Sequence, residues 1–388
     1  MKLDYIIIYL ILFLSFYSLG SIVGHLRRKN NTLVYFFISL IYSIIEGVRY
    51  GRGVDYWGYN SLYDRINTTT DATSGQVLFD QLLLLLKNLN FPFNGVLFLL
   101  SFLYIYSTLY LLKDYKKYFK YILPLLLIFT VIESECFIRQ FCSLSFANFA
   151  LSFLLKDNKN KKVRFLFFFI FTLIAYHIHS VSIIFLFISF ITFHIKSPFH
   201  YKYTIPLYLV FSLSNNIIPL NILSEVINSI SISESNKFYN YIENSDKWFG
   251  YDSINTIYRQ HWYTLLLDIF LNISVFYTGY KIIKDKRIST PQSYIFFFNL
   301  YTIGAIMLRA FYEIELLRRV AFNEFLWIFL VSGYILYLYF NNKYRYNYLT
   351  ITAIIISIYI TLSAIRILFL TNLNDFIWDV SFQNWRID

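Results

Sequence analysis

The chain has 388 residues, of which 57% are hydrophobic, 22% aromatic and only 15% charged. Soluble domains carry about 25% charged residues, so this chain has too few charges for a water-facing surface, which excludes an ordinary soluble enzyme and a disordered protein. The formal net charge of +11 is typical of nucleic-acid-binding proteins in soluble chains, so its meaning depends on where the basic residues lie. Two cysteines, Cys136 and Cys142, are too few for a disulfide framework.

The hydropathy pattern predicts an all-α, polytopic integral membrane protein. A helix that crosses a bilayer needs about 20 largely apolar residues, and twelve stretches approach that length. Because several are short or interrupted, the prediction is ten to twelve transmembrane helices in one membrane domain, 1–388, with 77–90 as a re-entrant or interfacial helix. The first stretch is predicted to be a span and not a cleaved signal peptide, because no cleavage motif follows it. The predicted spans are 5–24, 32–46, 93–112, 120–133, 139–155, 165–179, 180–195, 203–219, 263–280, 292–309, 319–340 and 348–370.

The basic residues predict the orientation of these spans, since lysine and arginine accumulate in cytoplasmic loops. Alternate loops are strongly basic, so they are predicted to face the cytoplasm. Segment 47–92, loop 220–262 and the tail 371–388 then face outward. The basic loops are 25–31, 113–120, 156–164, 194–202, 281–287 and 341–347.

Lysine and arginine are distributed differently between the two sides. The predicted cytoplasmic loops hold fifteen lysines and five arginines, whereas the outward segments hold nine arginines and four lysines. Orientation requires only positive charge, but the planar arginine side chain can also bind phosphate or carboxylate through two hydrogen bonds. The outward arginines therefore indicate an anionic ligand.

The densest polar and aromatic cluster covers residues 46–65. Two glycines flank Arg52, so the backbone can turn sharply there, and Asp55 follows three residues later. The next aromatic side chains suit contact with sugar rings. The alternative is an aromatic belt at the membrane surface with an Arg52–Asp55 ion pair that fixes a loop. The aromatic residues are Tyr56, Trp57, Tyr59 and Tyr63.

A second outward turn, 133–146, carries Arg139 and Gln140 at the mouth of a span. Charged residues at membrane depth are costly and tend to face a functional cavity. Glu135, four residues before Arg139, could instead neutralise it on one helix face.

Two histidines, His177 and His179, lie at a predicted helix junction. Residues two apart in a helix point in nearly opposite directions, so only one can face a given site, and we expect it to be His179. A histidine can act as a general base, but it can equally hydrogen-bond a neighbouring helix. No third ligand at helical or turn spacing supports a metal site.

Segment 309–325 contains two possible ion pairs at i,i+4 spacing, Arg309–Glu313 and Glu315–Arg319. Arg318 has no acidic residue four positions later. The sequence leaves a structural network and an anion clamp as equal alternatives.

The outward loop 220–262 is rich in Asn, Ser and aromatic residues and ends at Trp262. This composition suits a carbohydrate cleft or lid, or an amphipathic helix on the membrane.

The chain has no Walker A, GxGxxG, HExxH or CxxC motif, so nucleotide hydrolysis, hydride transfer and zinc proteolysis lack support. No internal repeat is visible, which disfavours a flippase.

These residues resemble the EpsG-like, Wzy-type bacterial polysaccharide polymerases, which make O-antigen, capsule or exopolysaccharide. The resemblance rests on RYGRGVDYWGY, Arg49 to Tyr59, and is extended by IRQ from Ile138, HIHS from His177 and LRR from Leu317. Members often have Gly-Thr-Asp where this chain has Gly53, Val54 and Asp55. Hydropathy is similar across nearly the whole chain.

The resemblance implies a metal-independent glycosyltransferase, without cofactor, in the bacterial inner membrane with its active site facing outward. Its partners are undecaprenyl-diphosphate-linked glycans and the bilayer, with a chain-length regulator and a flippase as further candidates and no nucleic acid. Another polyprenyl-phosphate-sugar-dependent glycosyltransferase and a lipid-linked-oligosaccharide flippase are the alternatives.

Such a reaction needs a base and a group that stabilises the diphosphate. We expect Asp55 or His179 to be the base, Arg139 and Arg319 to bind the diphosphate with help from Arg318, and Arg52 to bind diphosphate or an acidic sugar. The predicted substrate-binding residues are Arg49, Arg52, Tyr56, Trp57, Tyr59, Gln140, Arg318 and Trp262.

Overall fold

The computed structural model of the chain describes residues 3–26, 32–53, 55–67, 76–156, 160–213, 261–312, 315–341 and 346–367. Within these ranges the chain is helical and contains no β-strand, which confirms the all-α prediction. The tail 371–388 and loop 220–262, except for its last two residues, lie outside the described ranges.

Fifteen α-helices occur in the described part of the chain, and a 3-10 helix, Lys113–Tyr118, precedes the sixth. The helices are α1 (Leu3–His25), α2 (Thr32–Gly47), α3 (Tyr56–Arg65), α4 (Val77–Asn88), α5 (Phe93–Leu111), α6 (Phe119–Cys136), α7 (Ile138–Leu155), α8 (Lys161–Ile178), α9 (Val181–His194), α10 (Tyr201–Leu213), α11 (Trp262–Lys284), α12 (Tyr294–Ala310), α13 (Glu315–Phe325), α14 (Ile328–Phe340) and α15 (Asn347–Ile365).

Six candidate membrane spans are present among the described helices: one in α1, then α5, α7, α11, the stretch Leu317–Phe340 and α15. The apolar helices α2, α9 and α12 are shorter. A multi-pass membrane protein is thus supported, while the count of ten to twelve spans and their orientation stay predictions.

The predicted span 319–340 is divided between α13 and α14. The amides of Phe329 and Leu330 donate to carbonyls three residues back, those of Leu326 and Trp327, at 3.2 and 3.1 Å. This tighter hydrogen-bonding pattern marks a local change in the helix at Leu326–Trp327. Segment 47–92, which is predicted to face outward, contains two helices, α3 and α4, of which α4 corresponds to the predicted helix 77–90.

The chain divides into two compact units. Unit 1 comprises Met1–Phe193, Ser332–Asn342 and Ile360–Asp388, and unit 2 comprises His194–Val331 and Lys343–Tyr359. In unit 1, α2 and α7 pack against α5, α8 packs against α7, and α1 packs against α6. In unit 2, α10 packs against α11 and α12, and α13 packs against α12.

Candidate functional site

The loop between α2 and α3 is shaped by two glycines with positive φ angles. Gly51 has φ 65° and Gly53 has φ 90°, a region that side chains with a Cβ rarely occupy. Gly53 also lies directly against the end of α6, because a Cβ added there would be 2.0 Å from the carbonyl oxygen of Glu135. The backbone of the loop is therefore pressed onto the turn that precedes Arg139.

We expect Gly53→Ala to lower the free energy of unfolding by about 2–4 kcal/mol, because both the φ angle and the backbone contact forbid a Cβ. Gly58→Ala is the matched control, since nothing lies within 4 Å of its added Cβ. That residue lies in α3, where alanine favours the helix by up to about 1 kcal/mol. Thermal unfolding of both variants in detergent measures the difference, and equal melting temperatures contradict the prediction.

Arg52 is held in a buried polar cluster that connects its loop to α1 and α6. Its guanidinium donates to Glu135 Oε1 and to the Tyr9 hydroxyl. Tyr9 in turn donates to Glu135 Oε1 at 2.5 Å. The guanidinium also lies over the ring of Tyr5, 4.6 Å from its centroid. The motif is thus fixed to two helices that are far from it in sequence.

This cluster bears on two ion pairs that the sequence left open. For Arg52, the structure adds Glu135 as a carboxylate partner that the sequence did not suggest. The Glu135 carboxylate, which the sequence offered as a partner of Arg139, accepts hydrogen bonds from Arg52 and Tyr9. No sequence pattern pointed to Tyr9, which lies within an apolar helix.

Arg49 lines a pocket at the ends of α2, α5, α6 and α7. Its side chain is only 2% exposed, and its Nη1 lies 3.3 Å from Glu46 Oε2. The pocket has about 290 Å³ of empty space, part of it open to solvent. Its polar wall also includes Tyr42, Ser101, Tyr104 and Ser134, and its apolar wall is formed by Leu97, Leu100, Ile138, Phe141 and Cys142.

The aromatic residues of the motif differ in exposure. Tyr56 is buried, with its ring 5.2 Å from that of Trp57 and 5.4 Å from that of Phe93. Trp57 is 50% exposed, whereas Tyr59 is half-buried with its ring 5.5 Å from that of Phe79. Burial raises the pKa of the Tyr56 phenol and the positive charge of Arg49 lowers it, with a net rise. Tyr56 is therefore a hydrogen-bond donor and not a base at neutral pH.

Three motifs of unit 1 meet through their apolar residues. Tyr56, Ile138 and Ile178 belong to one buried cluster, together with Phe93, Leu97 and Cys142. Each of the three adjoins a residue with a predicted role: Asp55 precedes Tyr56, Arg139 follows Ile138 and His179 follows Ile178. The fold thus brings together segments that are separated by about 40 to 120 residues in the sequence.

The residues with predicted roles in this region lie at helix ends. Asp55 immediately precedes α3 and is half-buried. Arg139 is half-buried and Gln140 is buried, both in the first turn of α7. His179 is the first residue after α8; it is half-buried, and its backbone amide donates to the carbonyl of Ala175 at 2.9 Å. His177 is exposed on α8, which agrees with the expectation that only His179 points inward.

Unit 2 contains a separate buried polar network around Arg309. Its guanidinium donates to Asp268 Oδ2 and, at 3.3 Å, to the Tyr208 hydroxyl. Asn272 continues the network, donating to Tyr208 at 3.0 Å and accepting from Tyr301 at 2.6 Å. Sequence reasoning considered only Glu313 as the partner of Arg309, and Glu313 lies outside the described residues. Asp268 was the missed residue, and its only signal was an isolated carboxylate within an apolar helix.

We expect Arg309→Met to lower the free energy of unfolding by about 3–5 kcal/mol, because it leaves the carboxylate of Asp268 without its cation. The double variant Arg309→Met/Asp268→Leu is expected to recover most of this loss. Arg287→Met is the matched control, since the Arg287 side chain is 70% exposed and solvent screens its ion pair with Asp285. Denaturant unfolding in detergent measures all three, and a double variant as unstable as the single one contradicts the prediction.

The remaining predicted residues occupy other positions. Arg318 and Arg319 are half-buried on α13, and the Arg318 guanidinium lies 5.7 Å from the ring centroid of Tyr312. Trp262 begins α11 and is 72% exposed. Within the described ranges, no three His, Cys, Asp or Glu side chains come together as a group that could hold a metal ion.

A family model described as the EpsG family matches residues 32–377, which is nearly the whole chain. No curated protein and no solved structure matches it.

Proposed function

This chain belongs to the EpsG family, and from that membership we propose that it is a polysaccharide polymerase of the bacterial cytoplasmic membrane. It joins oligosaccharide repeat units that are carried on undecaprenyl diphosphate, and it does so at the outer leaflet. The family match is the observation that carries this proposal. The apolar helices of both units agree with a substrate that has a lipid tail.

The proposed reaction is a glycosyl transfer between two lipid-linked glycans. A hydroxyl oxygen of the incoming unit forms a bond to the anomeric carbon of the growing chain. The bond from that carbon to the diphosphate oxygen breaks, so the polyprenyl diphosphate leaves with the electron pair, and the hydroxyl proton passes to a base. The enzyme must therefore supply a base and stabilise the negative charge on the leaving group.

The meeting of three motifs in unit 1 supports a catalytic centre there. Arg139 lies in the first turn of an 18-residue helix whose N-cap residue, Phe137, makes no side-chain capping hydrogen bond. Backbone N–H groups at a helix N-terminus attract anions, and a guanidinium beside them adds charge and a bidentate hydrogen-bonding geometry. Arg139 is therefore assigned to the diphosphate.

Asp55 precedes Tyr56, and His179 follows Ile178, and both of these neighbours belong to the shared buried cluster. Because Asp55 and His179 are also half-buried, they are the proposed bases. Trp57 is the most exposed of the aromatic residues near them and is assigned to a sugar ring. Arg319 of unit 2 remains a predicted diphosphate ligand, with Arg318 as its helper, and its role is tested separately.

The test of the function is an incubation of the purified full chain in detergent with a synthetic lipid-diphosphate repeat unit. A ladder of products that grows by whole repeat units is the expected result. The same glycan on a lipid monophosphate is the control and is expected to give no ladder, since the leaving group is poorer.

Two other results would replace the proposal. Addition of a single sugar, with no product longer than one unit, indicates a different membrane glycosyltransferase. Movement of the unaltered lipid-linked glycan across the bilayer of proteoliposomes, without any change in its length, indicates a flippase.

A further inference from the structure

The two arginines of the glycine-containing motif are in different environments. Arg52 is engaged by Glu135, Tyr9 and the ring of Tyr5. Arg49 is equally buried, but no described residue hydrogen-bonds to its Nε or Nη1. Among the described residues its ion-pair partner is Glu46, whose Oε2 lies 3.3 Å from Nη1. A buried donor without a hydrogen bond costs about 1–3 kcal/mol, so this arginine is held in an unfavourable state.

The pocket beside Arg49 is suited to an anion. The hydroxyls of Tyr42 and Ser134 are 2.8 Å apart on its wall. The Ser134 hydroxyl donates to the carbonyl of Val131 at 2.9 Å, so an anion next to the guanidinium would take over the hydrogen bond that Tyr42 now shares with Ser134. Half of the lining is apolar, and apolar side chains lower the local polarity, which strengthens the attraction between opposite charges.

The pocket is too small for a repeat unit. The space of about 290 Å³ beside its lining includes open solvent, so the enclosed part is smaller still and has room only for a small terminal group, not for an oligosaccharide. Ile138 on its wall is the neighbour of Arg139, so the pocket adjoins the residue already assigned to the diphosphate.

We propose that this pocket is an anion subsite in which Arg49 binds a phosphate or carboxylate group, with Glu46 as the counter-ion that occupies Arg49 when the subsite is empty. The proposal rests on the proposed function, since it assigns part of the same substrate to the pocket. The anion is either the diphosphate of the lipid carrier or the carboxylate of an acidic sugar. Arg52 is then a positioning residue that fixes the loop carrying Arg49.

Direct binding to the purified full chain tests this, because it does not depend on polymerisation. The probes are inorganic pyrophosphate, farnesyl diphosphate and methyl glucuronide, measured by calorimetry in detergent. Tight binding of the diphosphates identifies the lipid carrier as the source, and preference for the glucuronide identifies an acidic sugar. Failure of all three to bind the wild-type chain overturns the subsite.

The variants are chosen so that misfolding cannot imitate the expected result. Arg49→Lys and Arg49→Gln are expected to weaken binding of the preferred anion at least about tenfold, because both lose the bidentate guanidinium. Glu46→Gln is expected to tighten it about threefold to tenfold, because it removes the competing negative charge. Misfolding of the Glu46→Gln variant cannot explain such a result, because an unfolded protein does not bind the anion more tightly than the folded wild-type chain. Asp64→Asn removes an exposed carboxylate from α3 and serves as the control, with unchanged affinity expected.

Two results overturn the subsite: wild-type affinity in both Arg49 variants, or weaker binding in a Glu46→Gln variant whose melting temperature is unchanged. The assay also separates this inference from the proposed function. If the affinities change as expected but no ladder forms from any repeat unit, the pocket stands and the polymerase assignment fails.

Discussion

Replacement of Arg139 with lysine is expected to lower kcat for polymerisation by about 100-fold, while the protein remains folded. Lysine keeps the positive charge but loses the two parallel donors that hold a phosphate, and the loss of one well-placed donor to a developing anion typically costs a factor of about 10²–10³. The proposed role of Arg139 rests on its half-buried position in the first turn of α7. Initial rates of ladder formation measure the effect.

Arg65→Lys is the matched control for Arg139→Lys. Arg65 lies in the same predicted outward region but is exposed at the end of α3, where its Nε donates to the carbonyl of Ser61 at 3.1 Å. It is expected to retain the wild-type rate. Full polymerisation by Arg139→Lys refutes bidentate recognition of the diphosphate by Arg139. Arg319→Lys, assayed in the same way, tests the second predicted ligand independently.

Removal of the general base is expected to have the largest effect, a loss of about 10²–10⁴ in kcat. Asp55→Asn and His179→Ala each remove one candidate, so the variant with the large loss identifies the base. Its pH profile gives a second readout. The rate should rise with pH as the base loses its proton, and this rise should disappear in the variant that lacks the base.

Each base candidate has a neighbour that serves as its control. His177→Ala removes an exposed imidazole two residues from His179, and Asp64→Asn removes an exposed carboxylate from α3. Both are expected to leave kcat unchanged. Wild-type kcat in both Asp55→Asn and His179→Ala excludes both residues as the proton acceptor.

The arginines that are predicted to face outward differ in their surroundings. The sequence indicated an anionic ligand for the set as a whole, yet Arg52 and Arg309 are buried against Glu135 and Asp268. These two arginines stabilise contacts between helices, since removing one member of a buried pair leaves an uncompensated charge. At least two members of the set therefore hold helices together, and the anion ligands that we propose are other members.

Much of the fold could be predicted because its signals are local in the sequence. Apolar stretches of sufficient length indicate helices, and α5, α7, α11 and α15 begin and end within a few residues of the predicted bounds. The helices α3 and α8 show the limits of this approach. The former lies in a segment with too little apolar length to be recognised as a span, and the latter carries Lys161, Lys162 and Arg164 in its first turn, which shortens its apolar part.

The site was less predictable because its contacts join distant parts of the chain. Asp55, Arg139 and His179 could be selected as unusual polar residues near span ends, but nothing local indicated that Tyr56, Ile138 and Ile178 share one cluster. Glu46 was not considered at all, although it is one helical turn before Arg49 and pairs with it. A carboxylate three residues before an arginine at a helix end is the signal that could have found it.

The sequence by itself determined the class of the protein, the positions of its helices and the family to which it belongs, because hydropathy and motif residues are properties of short segments. Only the tertiary structure decided which charges pair. Arg52 reaches Tyr9 and Glu135, 43 and 83 residues away, and Arg309 reaches Asp268, 41 residues away. The packing of the helices determines these partners, because a buried charge is stable only when a counter-ion on a neighbouring helix pairs with it. That packing is also what leaves Arg49 facing a pocket while Arg52 is held by its neighbours.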